Sequence, residues 1–319
     1  MGSSVRDPSY CCGLAGPVAA RVTVLFVLLV HQRVLIMLRQ VIGLDHVVIA
    51  VRDLERAASA WRKLGFTLSP RGTHSEHMGT GNYTIMFGDD YLELLGVVAP
   101  TPRNAPLRAF LQAREGIERV AFTTLDAAAG VAELQARGIA ASGPLEFGRP
   151  VDLPGGGRTQ AGFRTFDWPA NERPAGARLF GCQHLTREAV WIPELQRHPN
   201  SALRIVRIEL LSGDPQAAAA GMGRLIDQPP AALGNGAWRV PSGEGRGDFD
   251  FLDREALAAR YPGVATDTLP LESPAALVLR VADPAKARAA LRTVATVACP
   301  GALVVVPQEA NGLLLALVV

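Results

Sequence analysis

One layout recurs four times along the chain: an apolar strand, an aspartate, then an alanine-rich helix. The segments are HVVIAVRDLERAASAWRKLGF (46–66), RVAFTTLDAAAGVAELQARGI (119–139), RIELLSGDPQAAAAGMGRLI (207–226) and AALVLRVADPAKARAALRTV (275–294). A repeated supersecondary unit cannot bury its apolar face alone, so the units must pack against one another. Asp53, Asp126, Asp214 and Asp283 each stand where a helix needs an acceptor for its first free N–H groups. Pro215 and Pro284 occupy the first helical position, and Gly65 and Gly138 close the first two helices in the left-handed conformation open to glycine.

Short β-type runs follow each helix. They are Phe66–Leu68, Tyr83–Phe87 and Tyr91–Val98 after the first helix, with GDD as a hairpin turn. After the second they are Ile139–Ala141, Ala161–Phe166 and Ala177–Cys182. After the third they are Trp238–Val240 and Phe249–Leu252, around PSGEGRG. After the fourth they are Ala295–Ala298, Ala302–Val306 and Leu313–Val319. The expected fold class is therefore α+β: four βαβββ modules paired into two domains, 42–195 and 196–319, with IPELQRHPNS breaking the pattern between them.

Composition narrows the function. Hydrophobic residues make up 48% of the 319 residues and charged residues 19%, which excludes a disordered polyelectrolyte. A net charge of +2 and only 6% aromatics offer neither a basic field nor a stacking platform for nucleic acid. Cys11, Cys12, Cys182 and Cys299 contain no CxxC pair, so a zinc knuckle is excluded and a reducing, cytoplasmic setting is expected. The first residues differ from the rest. VTVLFVLLV (22–30) and VLIML (34–38) are apolar but split by His31-Gln32-Arg33, which argues against a membrane span and a signal peptide. Residues 1–41 are expected to form a leader outside the fold, with Met37 the natural point at which the folded protein begins.

LDHVVIAVRDL (44–54), RGTH (71–74), GTGNY (79–83), YLELLGV (91–97) and HPN (198–200) resemble the vicinal oxygen chelate superfamily, which includes glyoxalase I, bleomycin-resistance proteins and extradiol dioxygenases. The nearer resemblance is to its glyoxalase-like domain proteins. It is specific over 42–201 and one of layout beyond. It implies paired modules curled into a cup in which a divalent metal binds two substrate oxygens. By that resemblance His46 and Glu93 match two ligand positions, and Arg119 stands where a second histidine is usual. Arg207 and Ala276 hold the same place in the third and fourth modules, which marks the C-terminal pair as a scaffold that helps wall the N-terminal cup. RLFGCQH (178–184) offers Cys182 or His184, on one strand face, as a further ligand.

The residues carry alternatives. His46, in an apolar strand, is either a metal ligand or bonded to a backbone carbonyl. Glu93, flanked by leucines, needs a metal or a cation if buried. A bidentate pair with Arg119 would satisfy both; otherwise Arg119 binds an anionic substrate group. His74, Thr80 and Asn82 either orient substrate oxygens or form a turn. Arg149 is a candidate carboxylate clamp. His198 and Asn200 either close the site or make the turn before the next strand. His77 is expected in solvent, and PGGGR (154–158) as a glycine turn, since it lacks the ending of a phosphate loop. No GxSxG or HExxH occurs.

The leading expectation is a metal-dependent lyase, isomerase or dioxygenase acting on a small carbonyl or diol compound. Its metal (Fe, Mn, Ni or Zn) would be held by His46, Glu93 and His184, with Glu93, Arg149 and His198 catalytic and His74, Thr80, Asn82, Arg119 and Asn200 binding substrate. The alternative is a metal-free protein that sequesters a small molecule. Neither nucleic acid nor membrane is an expected partner, and the chain is expected to be a monomer or homodimer.

Overall fold

The computed structural model describes residues 1, 2 and 38–319, so the apolar runs of the leader lie outside the described residues. Among the described residues no helix is long and apolar enough to cross a membrane. The N-terminal half holds β1 (Val41–Val51), α1 (Leu54–Lys63), β2 (Gly72–Thr73), β3 (Thr80–Met86), β4 (Tyr91–Val97), α2 (Ala105–Ala113), β5 (Gly116–Thr124), α3 (Ala127–Ala136), β6 (Ser142–Asp152), β7 (Arg158–Asp167) and β8 (Arg178–His184). The C-terminal half holds β9 (Ala202–Leu211), α4 (Pro215–Ile226), β10 (Ala231–Gly234), β11 (Ala237–Val240), β12 (Asp248–Leu252), α5 (Arg254–Arg260), β13 (Ser273–Val281), α6 (Pro284–Ala290), β14 (Thr296–Cys299), β15 (Ala302–Val305) and β16 (Leu314–Val318).

Each half makes one eight-stranded sheet, in the orders β2-β3-β4-β1-β5-β8-β7-β6 and β10-β11-β12-β9-β13-β16-β15-β14. The two orders are superimposable, so the four repeated units are four βαβββ modules. First strands pair antiparallel at each centre (β1 with β5, β9 with β13), and each first strand runs parallel to the last strand of its own module. The α+β fold of two paired-module domains read from the repeats is the observed one.

The aspartates account for the helix starts. Asp53, Asp126 and Asp214 accept the N–H of Arg56, Ala129 and Ala217, and Asp283 accepts those of Ala285 and Lys286. Each cap contributes about 1 kcal/mol. Leu54, Ala57, Ala58 and Trp61 form the buried stripe of α1, at helical spacing. One continuous core joins both sheets: Phe122 stacks on Phe249, and the Trp168 indole donates to the Leu225 carbonyl. A second link is polar. Asp90, buried in the turn before β4, accepts the backbone N–H of Ile205 in β9. Burial pushes its carboxyl up to about 7.

Several expected boundaries shift. Leu38 is buried, the N–H groups of Arg39 and Gln40 are bonded to Glu133, and β1 begins at Val41, so residues 38–41 belong to the fold. Phe66–Leu68 and Ile139–Ala141 are not strands; the ladder needs β2 and β6 instead. Helices α2 and α5, joining the modules of each pair, escaped the sequence reading because neither sits in the repeated unit.

Candidate functional site

The N-terminal sheet curls until its edge strands β2 and β6 meet. Its concave face encloses a cavity of about 290 Å3. Every residue lining it lies between His46 and Val190, so the C-terminal domain does not wall the cup. The expected wall is missing because the second domain joins the convex side, through the shared core.

Two β-bulges shape the floor. Strand pairing steps from Leu44–Phe122 to His46–Ala121, leaving Asp45 as an extra residue in β1. It accepts from His46 Nδ1 at 2.6 Å, His184 Nε2 at 3.0 Å and the Thr123 hydroxyl at 2.8 Å. Burial alone would raise Asp45, but His184 and His46 hold its carboxyl well below the usual carboxylate range. An ionised Asp45 only accepts, so His46 carries its proton on Nδ1 and turns the Nε2 lone pair the other way. Nε2 lies 3.8 Å from Glu93 Oε2. Tyr91 stacks on the His46 ring at 4.2 Å, and Phe180 meets it edge-on.

The second bulge leaves Glu118 extra in β5, where pairing steps from Val48–Arg119 to Ile49–Ile117. Glu118 accepts from Arg119 Nε and, at 2.6 Å, from Arg178 Nη1. Burial would raise this carboxyl; Arg119 and Arg178 hold it below its usual value. The bidentate Glu93–Arg119 pair weighed above is therefore absent, because the bulge gives Arg119 a closer acceptor. Glu93 instead accepts from Asn82 Nδ2 at 2.6 Å, which leaves Asn82 Oδ1 buried without a partner.

His74, Thr80, Asn82 and Arg149 also line the cavity. His74 bonds Thr80 Oγ1 at 2.8 Å, and burial pulls its pKa down, which favours the neutral ring. Arg149 is only 8% exposed, and its guanidinium makes no hydrogen bond or ion pair among the described residues. It reaches inward over Gly72, where an added Cβ would lie 2.2 Å from Asn82 Oδ1 and 3.0 Å from Arg149 Nη1, so any side chain at 72 would displace both groups. His77 is exposed, and Gly156 and Gly157 have positive φ in the β6–β7 turn.

Two candidates lie elsewhere. His198 accepts the Thr67 N–H on Nδ1 and donates from Nε2 to the Met86 carbonyl, edge-on to Phe66 and Phe87. Asn200 donates to the Leu64 carbonyl and accepts from Ala202 N–H. Both pin the linker to the first module and stay outside the cavity, because the HPN turn runs along the convex side.

The metal positions implied by the resemblance can be tested on the register. His46 pairs with Tyr91 and Glu93 lies two residues on; equivalently Arg119 pairs with Arg178 and Phe180 lies two residues on. The four positions thus hold a histidine, a carboxylate, a cation and a phenyl ring. They do not fit a bound metal. The donor atoms that do cluster, all within 4.8 Å of one another, belong to Asp45, His46, Cys182 and His184, with Glu93 outside the group. His184 thus turns to Asp45 rather than joining Glu93. The sequence missed Asp45 and Glu118 because strict alternation assigns them to the outer face; their only signal was adjacency to His46 and Arg119.

Paired βαβββ modules closing a cup over His46 and Glu93 define a vicinal-oxygen-chelate-type protein. The glyoxalase-like domain family matches residues 44–226, and the chain belongs to that family. No curated protein matches it. A hypothetical protein from Staphylococcus aureus is similar in structure (TM-score 0.61, 11% identity, 86% of this chain and 98% of that one). A mutant of 4-hydroxymandelate synthase from Streptomyces coelicolor is similar at TM-score 0.51, with 16% identity over 82% of this chain and 78% of that one. Methylmalonyl-CoA epimerase from Mycobacterium tuberculosis covers 45% of this chain and 89% of its own at TM-score 0.35 and 18% identity. At these identities the likeness is one of fold.

Proposed function

We propose that the chain is an isomerase or lyase that moves a proton on a small carbonyl compound carrying a carboxylate. The observation that carries this reading is His46, whose Nδ1 is held by a buried carboxylate while Nε2 faces Glu93 at the cup floor. An Asp-backed imidazole fixes the tautomer and stabilises the imidazolium formed when Nε2 accepts a proton. Glu93, steadied by Asn82, strengthens that stabilisation across 3.8 Å and can carry the same proton on its return.

Arg149 supports the substrate charge. A buried guanidinium without a protein acceptor is costly, and a substrate carboxylate supplies the missing bidentate partner. In that pose the C–H bond next to the carbonyl breaks toward His46 Nε2. The negative charge gathers on the carbonyl oxygen in a cavity that Arg119 and Arg178 also face. His74, as a neutral ring bonded to Thr80, offers a hydrogen bond to the same compound.

The test is solvent-deuterium exchange followed by NMR, on a panel of short 2-oxo acids and substituted malonates. Exchange of the proton next to the carbonyl should occur with wild type and disappear in His46→Gln. Arg149→Met should weaken binding about tenfold or more, the scale of a lost charged hydrogen bond. Tight binding without exchange would point to the sequestering protein instead, and binding unaltered in Arg149→Met would remove the carboxylate clamp.

A further inference from the structure

Beneath the cup floor, Asp45 is fully buried, and its side-chain partners are two imidazoles and a hydroxyl; no lysine or arginine pairs with it among the described residues. That is a costly arrangement unless a cation joins it. His184 faces this group with Nε2, and its Nδ1, on the other side of the ring, is buried without a partner. Cys182 Sγ lies 3.7 Å from His184 Nε2, on the same side as Asp45. The second protonation of an imidazole and a divalent ion are the two ways to balance Asp45. Only the ion also uses the sulfur.

We infer that Asp45, His46, Cys182 and His184 form a closed binding site for a zinc-class divalent cation, displaced from the ligand positions that the fold resemblance implies. The donor set is two nitrogens, an oxygen and a sulfur, the mixture that zinc accepts in tetrahedral geometry. Zinc ligands stand about 2.0–2.3 Å from the ion, and a group spanning 4.8 Å closes to that radius by small side-chain rotations. The bulge in β1 is what brings the oxygen to the same side as the nitrogens, and the spacing of 182 and 184 in β8 supplies the other two donors. Held by four protein ligands, of which His46 and Cys182 also line the cavity, the ion fixes the floor and leaves the neutral His46 ring with its proton on Nε2, towards Glu93. This inference does not depend on the proton-transfer reading, and in the metal-bound form Glu93 rather than His46 would accept the substrate proton.

The experiment uses the full chain, refolded in turn with Zn2+, Co2+ or no metal, and read by elemental analysis and absorption. The expected result is one equivalent of zinc, and in the cobalt form a near-ultraviolet thiolate-to-cobalt charge-transfer band. Cys182→Ser should lose that band, and His184→Gln should lose the bound metal, while Glu93→Gln keeps both. Circular dichroism checks that each variant folds; should Cys182→Ser not fold, the band in wild type still decides. A wild type that retains no zinc or cobalt overturns the site. Metal lost on Glu93→Gln and kept on Cys182→Ser overturns it too, and returns the ion to the cup.

Discussion

The two domains are the same sheet with opposite interiors. In the N-terminal cup the central row reads Thr84, Glu93, Val48 and Arg119 across four strands. The matching row of the C-terminal domain reads Arg239, Asp250, Glu209 and Ala276. Glu209 and Asp250 are fully buried and paired with cations: Arg207 and Arg260 donate to Glu209 Oε1, leaving Oε2 without a partner, and Arg239 and Arg260 donate to Asp250. Helix α5 delivers Arg260 and, with Leu257 and Tyr261, fills the space over that sheet. Its counterpart α2 covers only one end of the first cup, through Leu107 and Leu111. A charged group placed for a ligand is left without a partner; one placed for stability is not. The comparison supports placing the proposed function in the first cup.

The largest effect that can test this contrast is in the filled cup. Arg260→Met takes one of the two arginines from each of two buried carboxylates and should cost about 3–5 kcal/mol in urea unfolding of the full chain; a small loss would mean that the C-terminal cluster is not what holds that domain closed. Asp90, at the joint between the halves, should act next. Its carboxyl is raised from 3.8 to about 7, so the folded state holds a proton that the unfolded chain releases, and stability from this group falls as pH rises between those values. Asp90→Asn should match wild type near pH 4 and exceed it at pH 8 by about 2–4 kcal/mol; parallel pH–stability curves for the two would refute this. In the open cup the signs reverse. Arg149→Met removes a buried charge that no protein group satisfies and should raise stability by about 1–2 kcal/mol while binding fails, whereas a loss like that of Arg260→Met would show that Arg149 has a structural partner. Glu93→Gln should be the mildest, within about 1 kcal/mol, since the amide can still accept from Asn82, yet exchange activity should collapse. A large fall in melting temperature there would revive the pairing of Glu93 with Arg119.

Repetition made the architecture legible. Four capping aspartates at equivalent positions phase the strands and helices, and the phase carries His46 and Glu93 to their places without any coordinates. What was illegible came from departures that repetition hides. A bulge changes which face a residue serves without changing the residue, so Asp45 and Glu118 read as outward. The helices α2 and α5 differ in the two halves, which is why one cup is open and the other closed. Glu209 and Asp250 carry no mark in the sequence, because neither stands at a first-strand ligand position implied by the resemblance. His198 and Asn200, by contrast, did what turn chemistry alone suggested.

The turn that carries Asp90 has a mechanical meaning. Its carboxyl grips β9, and the next residue in the chain is Tyr91, the ring that lies on His46. The grip and the ring stacked on the His46 imidazole are thus neighbours in one turn, anchored at the domain joint. A shift of the C-terminal domain against the first would tug at the floor of the cup before it reached any wall. The second domain, which supplies no residue to the cavity, therefore still reaches the cup floor through this one turn.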